Sequence, residues 1–152
     1  MKLKVDYPKK DEERQILRLS ATTDKIKQKK STITAASILR AQKSINEIYV
    51  DEKVEDYVLN LVFATRDPKR YKLDDMVQLI QHGASPRASI NLILASKARA
   101  FLEGRGYVTP EDVRYIGKDI LRHRVIPSYE AEAEELTSED IIQRLFDSIE
   151  IP

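Results

Sequence analysis

Apolar side chains recur along most of this chain at spacings of three and four, the period that gathers them on one side of an α-helix. The clearest run is Val54, Tyr57, Val58, Leu61 and Val62, at i, i+3, i+4, i+7 and i+8. Asp51 precedes it as an N-cap, and Asp67-Pro68 disfavours continuation beyond Thr65-Arg66. Before it, Thr34 caps a helix predicted to reach about Ile48, with Ile38, Leu39, Ile45 and Ile48 turned inward. After it, Leu73 or Asp74 opens a short helix carrying Met76, Val77, Leu79 and Ile80, with His82 at its C-terminal end and Gly83 as its breaker. Thr109-Pro110-Glu111-Asp112 is a strong helix start, and Val113, Ile116, Ile120 and Leu121 form the buried face up to Arg122-His123-Arg124. Val125, Ile126 and Pro127 lead into an acidic stretch, Glu130 to Glu135. Thr137 then caps a last helix with Ile141, Ile142, Leu145, Phe146 and Ile149 apolar.

One helix stands apart. Ser85 is an N-cap, Pro86 occupies the first helical position, and apolar residues follow until the stop at Gly104. Ile90, Ile93, Leu94, Ala98, Phe101 and Leu102 keep helical spacing, while Leu92 and Ala95 widen the arc. Apolarity on most sides predicts a buried, central member of a bundle.

The N-terminal part follows a different pattern. Lys2, Leu3, Lys4, Val5, Asp6 and Tyr7 alternate as a half-buried strand would, and Pro8 ends the run. No later segment offers a partner strand, so it either pairs with another copy or, the favoured expectation, belongs to a parent sheet upstream of Met1. Lys9 to Leu19 reads as a short helix with Ile16, Leu17 and Leu19 as its apolar part. Residues 20–33 are polar, lysine-rich and aperiodic, a linker. The expected architecture is all-α: a multi-helix bundle over residues 34–152, a linker over 20–33, and a strand-helix remnant of an α/β core over 1–19.

Composition narrows the function classes. The 152 residues hold 26 Lys+Arg against 25 Asp+Glu, a formal net charge of +1, so no large electrostatic footprint for nucleic acid or an anionic membrane exists. A 41% hydrophobic fraction supports a core, and the absence of cysteine removes disulfides and thiolate metal sites. No apolar run approaches the roughly 20 residues needed to span a bilayer, and no signal-peptide core is present. A cytoplasmic location is expected.

Catalytic motifs are missing too. There is no Walker A or G-x-G-x-x-G loop, no G-x-S-x-G, and neither histidine, His82 or His123, lies in an H-E-x-x-H frame. Asp74-Asp75 and Glu134-Glu135 stand in polar surroundings where no raised pKa is expected. The residue that invites chemistry is Arg87. A cation in a first helical turn opposes the helix dipole at a cost of about 0.3–1 kcal/mol. Either it pairs with a carboxylate of a neighbouring helix, or it and the free first-turn N–H groups form an anion site suited to phosphate. His82 is read as structural at a helix C-terminus. Lys25 to Lys30 and Lys69-Arg70-Tyr71-Lys72 are read as solvated, with a nucleic-acid or protein interaction module as the alternative.

Several stretches taken together resemble a family. Val50-Asp51, Ala64-Thr65-Arg66, Gly83-Ala84-Ser85-Pro86-Arg87-Ala88, Gly106-Tyr107-Val108-Thr109-Pro110-Glu111-Asp112-Val113 and Leu121-Arg122-His123-Arg124 follow one another in the order found in the C-terminal helical lid domain of MoxR-type AAA+ ATPases. Lys4-Val5-Asp6-Tyr7-Pro8 with Glu12-Glu13 is similar to the end of that family's α/β core. The resemblance implies that Arg87 is the sensor 2 residue, directed at the terminal phosphates of ATP, with Ser85, Pro86 and Arg66 beside the nucleotide. It implies ATP with Mg2+ as cofactor of the longer protein and none bound by this chain alone. Its implied partners are an AAA+ core of the same protein, further copies in a homo-oligomeric ring, and a client protein whose identity is open. The stretch from Asp67 to His82 is longer than in many relatives, which bears on where Arg66 falls. Arg122-His123-Arg124 is expected to pack or to contact a subunit.

Overall fold

A computed structural model describes residues 1–21 and 32–152. Seven α-helices account for most of the described residues: α1 Lys10–Ser20, α2 Ala35–Asn46, α3 Glu52–Ala64, α4 Pro86–Leu102, α5 Pro110–Leu121, α6 Tyr129–Ala133 and α7 Ser138–Ser148. Two short strands, β1 Ile80–His82 and β2 Ile126–Pro127, pair antiparallel. The all-α class is as expected. The linker expected over 20–33 lies largely outside the described residues.

Local chemistry starts each bundle helix. Thr34 accepts a hydrogen bond from the Ser37 N–H, Asp51 from the Lys53 N–H, and Thr137 from the Asp140 N–H. Asp140 returns the favour to the Thr137 N–H, completing a capping box. The stripes then bury as their spacing requires. Val54, Tyr57, Val58, Leu61 and Val62 of α3 meet Val113, Ile116, Ile120 and Leu121 of α5 and Ile141, Ile142, Leu145 and Phe146 of α7 in one core.

Helix α4 corrects the sequence reading. It packs on α5, α3 and α2, but its buried stripe is Ala88, Leu92, Ser96 and Ala100, at i, i+4, i+8 and i+12. Small residues there let neighbouring backbones approach. Ile90, Leu94 and Leu102 are exposed, and Ile90, Ile93 and Leu94 border a cleft of about 340 Å³ with Val58 and Leu59 of α3. In α2, Ile45 is half-buried and Ile48 beyond it is buried, whereas Ile38 and Leu39 face solvent.

Residues 2–7 form no strand, because no partner edge lies among the described residues to take their backbone groups. Helix α1 forms as expected but buries none of its residues, so Ile16, Leu17 and Leu19 are exposed. The helix expected from Leu73 to His82 is reduced to one 3₁₀ turn, Asp74–Met76, which follows another at Pro68–Tyr71 and precedes β1. His82 is therefore an exposed strand residue, and the helix-dipole rationale for it does not apply. Ser128 locks the ribbon and the acidic stretch together: its N–H donates to the Leu79 carbonyl at 3.0 Å, its hydroxyl donates to the Gln78 carbonyl, and the same oxygen caps α6 at the Ala131 N–H.

Candidate functional site: the N-terminal end of α4

The segment entering α4 is fixed by the end of α3. Thr65, fully buried, donates its hydroxyl to the Val62 carbonyl at 2.6 Å and accepts the Ala84 N–H at 2.8 Å. Arg66 donates through Nε to the Ala84 carbonyl and lays its guanidinium 5.0 Å from the Phe63 ring centre. Both backbone groups of Ala84 are thus held by consecutive residues of one helix terminus. Gly83 makes this approach possible: a Cβ there would lie 2.3 Å from the Thr65 carbonyl oxygen and 2.9 Å from the Arg66 Cα.

Ser85 takes the N-cap position and Pro86 the first helical position. The Ser85 hydroxyl does not cap the helix; the Ser85 carbonyl instead takes the Ala88 N–H at 2.8 Å. Arg87 is exposed, and its side chain has neither an ion pair nor a hydrogen bond among the described residues. Among the described residues there is no carboxylate partner that would make it a purely structural arginine. No acidic residue stands in the first turn of α4. An exposed guanidinium, an uncommitted hydroxyl and a helix N-terminus form a setting that suits a phosphate group. The structure brings Ser85, Pro86, Arg87 and Arg66 to one end of the bundle, with Arg66 spending its Nε on the Ala84 backbone. Among the described residues no three His, Asp or Glu side chains converge as metal ligands.

The far end of α4 holds a network that sequence reasoning missed. Gly104, at φ +72°, closes the helix, with Gly104 N–H to the Phe101 carbonyl at 3.0 Å and Arg105 N–H to the Ala100 carbonyl at 2.8 Å. This Schellman turn aims Arg105 at the start of α5. Asp112, only 1% exposed, accepts both Arg105 Nη atoms at 2.9 and 2.6 Å and pairs with Arg99 Nε at 3.2 Å. It also caps α5 by accepting the Thr109 N–H at 2.9 Å. Arg99 in turn stacks on Tyr115, 3.3 Å from the ring centre. Burial pushes the Asp112 carboxyl up, but Arg105 and Thr109 outweigh it and hold it below the usual carboxylate range. The network ties the C-terminal end of α4 to the start of α5. The one sequence signal for it was the Thr109–Asp112 spacing of a capping box.

At the end of α5, Arg122 pairs with Asp119 at 2.7 Å and with Glu139 of α7 at 2.9 Å, which ties α5 to α7. Arg124 donates to the Ile120 carbonyl, a cation at the negative end of its helix. The His123 pKa is held below the usual imidazole value: burial lowers it first, and Arg124, the N-terminal ammonium, Lys2 and Arg122 lower it further.

Comparison with known proteins gives these elements a context. The family profile described as an AAA lid domain matches residues 76–145. The chain is 38% identical over 152 residues to the chaperone MoxR1 of Mycobacterium tuberculosis, covering 99% of this chain and 40% of that protein. It is 33% identical over 111 residues to the protein MoxR of Methylorubrum extorquens, covering 69% of this chain and 32% of the other. The crystal structure of a candidate ATPase from Cytophaga hutchinsonii superposes with a TM-score of 0.91 at 36% identity, over 97% of this chain and 45% of that one. The chain therefore spans less than half the length of each of these relatives. It belongs to the MoxR-type AAA+ ATPases, of which it carries the AAA lid domain.

Proposed function

We propose that this chain is the lid that completes an ATP site, with Arg87 as the sensor 2 residue. The observation that carries the reading is an exposed, unpartnered arginine in a helix turn that penalises cations, at the end of a segment anchored twice to α3. Bound ATP with Mg2+ supplies the phosphoryl group and the divalent charge. This chain's residues would bind and orient it: Arg87 and the Ser85 hydroxyl would hold the terminal phosphates, and the Thr65 and Arg66 contacts fix the turn that presents them. Arg66 acts as a positioning residue through the Ala84 carbonyl. The nucleotide-gripping core, a homo-oligomeric ring, a client protein remodelled by it and a cytoplasmic setting all belong to the longer protein in this reading. No helix among the described residues is long and apolar enough to cross a membrane.

The test joins this chain to its nucleotide-binding core and measures ATP turnover. Arg87→Ala is expected to lower turnover by about 10²–10³, the loss typical of a missing transition-state donor. Near-normal turnover would overturn the assignment. The chain by itself is expected to hydrolyse no ATP and to bind it weakly; robust hydrolysis would contradict the lid reading. Salt-sensitive binding to nucleic acid would favour the interaction-module alternative, through Lys69, Arg70 and Lys72.

A further inference from the structure

The two flanks of α4 carry different loads. On the α5 side, Ala95, Ala98 and Leu102 line a cleft that Met1 also borders, and the Lys2 N–H donates to the Asp119 carbonyl of α5 at 2.8 Å. On the lid reading those first residues are the end of the protein's own α/β core, so this flank belongs to that core. On the α3 side, Ile90, Ile93 and Leu94 face Val58 and Leu59 across the cleft of about 340 Å³, and no described residue covers it. Leu59, Ile90 and Leu94 stand 42%, 58% and 49% exposed. Single exposed apolar residues are ordinary, but a contiguous set shared by two packed helices marks an interaction surface.

Charge gives the cleft a direction. Thr65 and Arg66 at the end of α3 hold Ala84 just before α4, so the two helices run antiparallel. Glu55 of α3 therefore lines the part of the cleft remote from Arg87, and its carboxylate has no ion pair among the described residues. Arg87 is in line with Leu94 and Ala98, at i+7 and i+11. Leu94 borders one cleft and Ala98 the other, so Arg87 heads the ridge between the two flanks.

We propose that the α3–α4 cleft is the face through which this lid meets a second copy of the longer protein, which puts Arg87 at the boundary between two copies. The occupant supplies apolar side chains for the cleft and a cation opposite Glu55. It comes from another copy because the protein's own core is already engaged on the opposite flank. The relatives are more than twice as long as this chain, so a second copy brings ample surface beyond its own lid. The inference rests on the lid reading and names the surface by which the lid joins an assembly.

The test is thiol accessibility. The chain holds no cysteine, so Leu94→Cys places one thiol in the cleft and Tyr129→Cys a reference thiol on exposed α6. Alkylation is followed by peptide-resolved mass spectrometry, on the chain alone and on the chain joined to its nucleotide-binding core. Alone, the thiol at position 94 is expected to react as fast as the one at 129. Joined to the core, it should slow as protein concentration rises, by about tenfold at ten times the dissociation constant of the assembly. Ile90→Cys should behave alike, and adding Leu59→Glu should restore fast reaction and lower the sedimenting mass. Protection that ignores concentration would assign the cleft to the protein's own core, and concentration-dependent protection in the chain alone would make it a lid-to-lid contact. Either result, or fast reaction throughout, would overturn the proposal. ATP turnover of Arg87→Ala is read separately: lost turnover beside an open cleft would sink this interface and spare the lid reading.

Discussion

Consider the buried Asp112 carboxylate with Arg105 replaced by alanine. Asp112 is 1% exposed, whereas the Arg105 and Arg99 side chains are 27% and 25% exposed. Taking away Arg105 strands a charge that cannot reach water, and breaking a buried pair in this way costs about 3–5 kcal/mol. The surviving bonds from Thr109 and the Arg99 ion pair put the expected loss near the bottom of that range, about 3 kcal/mol. Asp112→Asn is the milder change, because both arginines can rehydrate and the amide oxygen can still cap Thr109. Its expected loss is about 1–2 kcal/mol. Urea unfolding at pH 7 should rank Arg105→Ala below Asp112→Asn with unchanged m-values, and Arg105→Ala should melt roughly 6–12 °C below wild type. Acid adds a second check. The wild-type carboxyl is depressed when folded, so its contribution is present above the unfolded value near 4 and is lost as pH falls through the folded one. Without Arg105, burial loses its main opponent, the folded pKa rises, and protonation relieves part of the penalty. The gap between the two proteins should therefore narrow on acidification. An Asp112→Asn protein as unstable as Arg105→Ala, or a gap constant from pH 7 to 4, would refute the reasoning.

Gly83→Ala puts a methyl group into the Thr65 carbonyl, a backbone atom that cannot swing aside, and should cost about 1–3 kcal/mol by urea unfolding. A loss under about 0.5 kcal/mol would show that the turn yields. His123 has a folded pKa below its unfolded value near 6.5, so the unfolded chain takes up the proton first and stability should fall as pH drops below about 6.5. His123→Gln should flatten that slope between about pH 7 and 5, and an unchanged slope would place its source elsewhere. Arg87→Ala should leave the melting midpoint unchanged or slightly raised, since only a dipole penalty of about 0.3–1 kcal/mol is removed; a marked fall would reveal a structural partner.

Helices α3, α5 and α7 were legible because two independent signals coincide in each: a cap at the right place and a stripe wide enough to bury. What escaped had no local signature. The β1–β2 ribbon consists of three and two residues, too short for any period to register, and its partners lie more than forty positions apart. Residues 2–7 carry a strand's alternation, yet alternation creates no strand without an edge to pair with. In α4 the large side chains drew the eye, but close packing against α5 selects Ala88, Ser96 and Ala100 and leaves Ile90 and Leu94 outside. Hydropathy weighs bulk; helix contact distance rewards its absence.

The same contrast bears on Arg87. Four of the bundle's five half-buried arginines, Arg99, Arg105, Arg114 and Arg122, each find a carboxylate, and the fifth, Arg124, donates to the Ile120 carbonyl. Lys10 and Lys53 also stand in first turns, but α1 and α3 offset them with Asp11, Glu12 and Glu13 or with Glu52 and Glu55. Arg87 has neither a partner nor an acidic neighbour in its turn, so its unfavourable position is offset by nothing within the described residues. Meanwhile Thr65, Arg66 and Gly83 spend three close contacts on fixing the turn that presents it. On the proposed reading the fold invests in placing this cation rather than in neutralising it, and the balancing negative charge arrives from outside the lid.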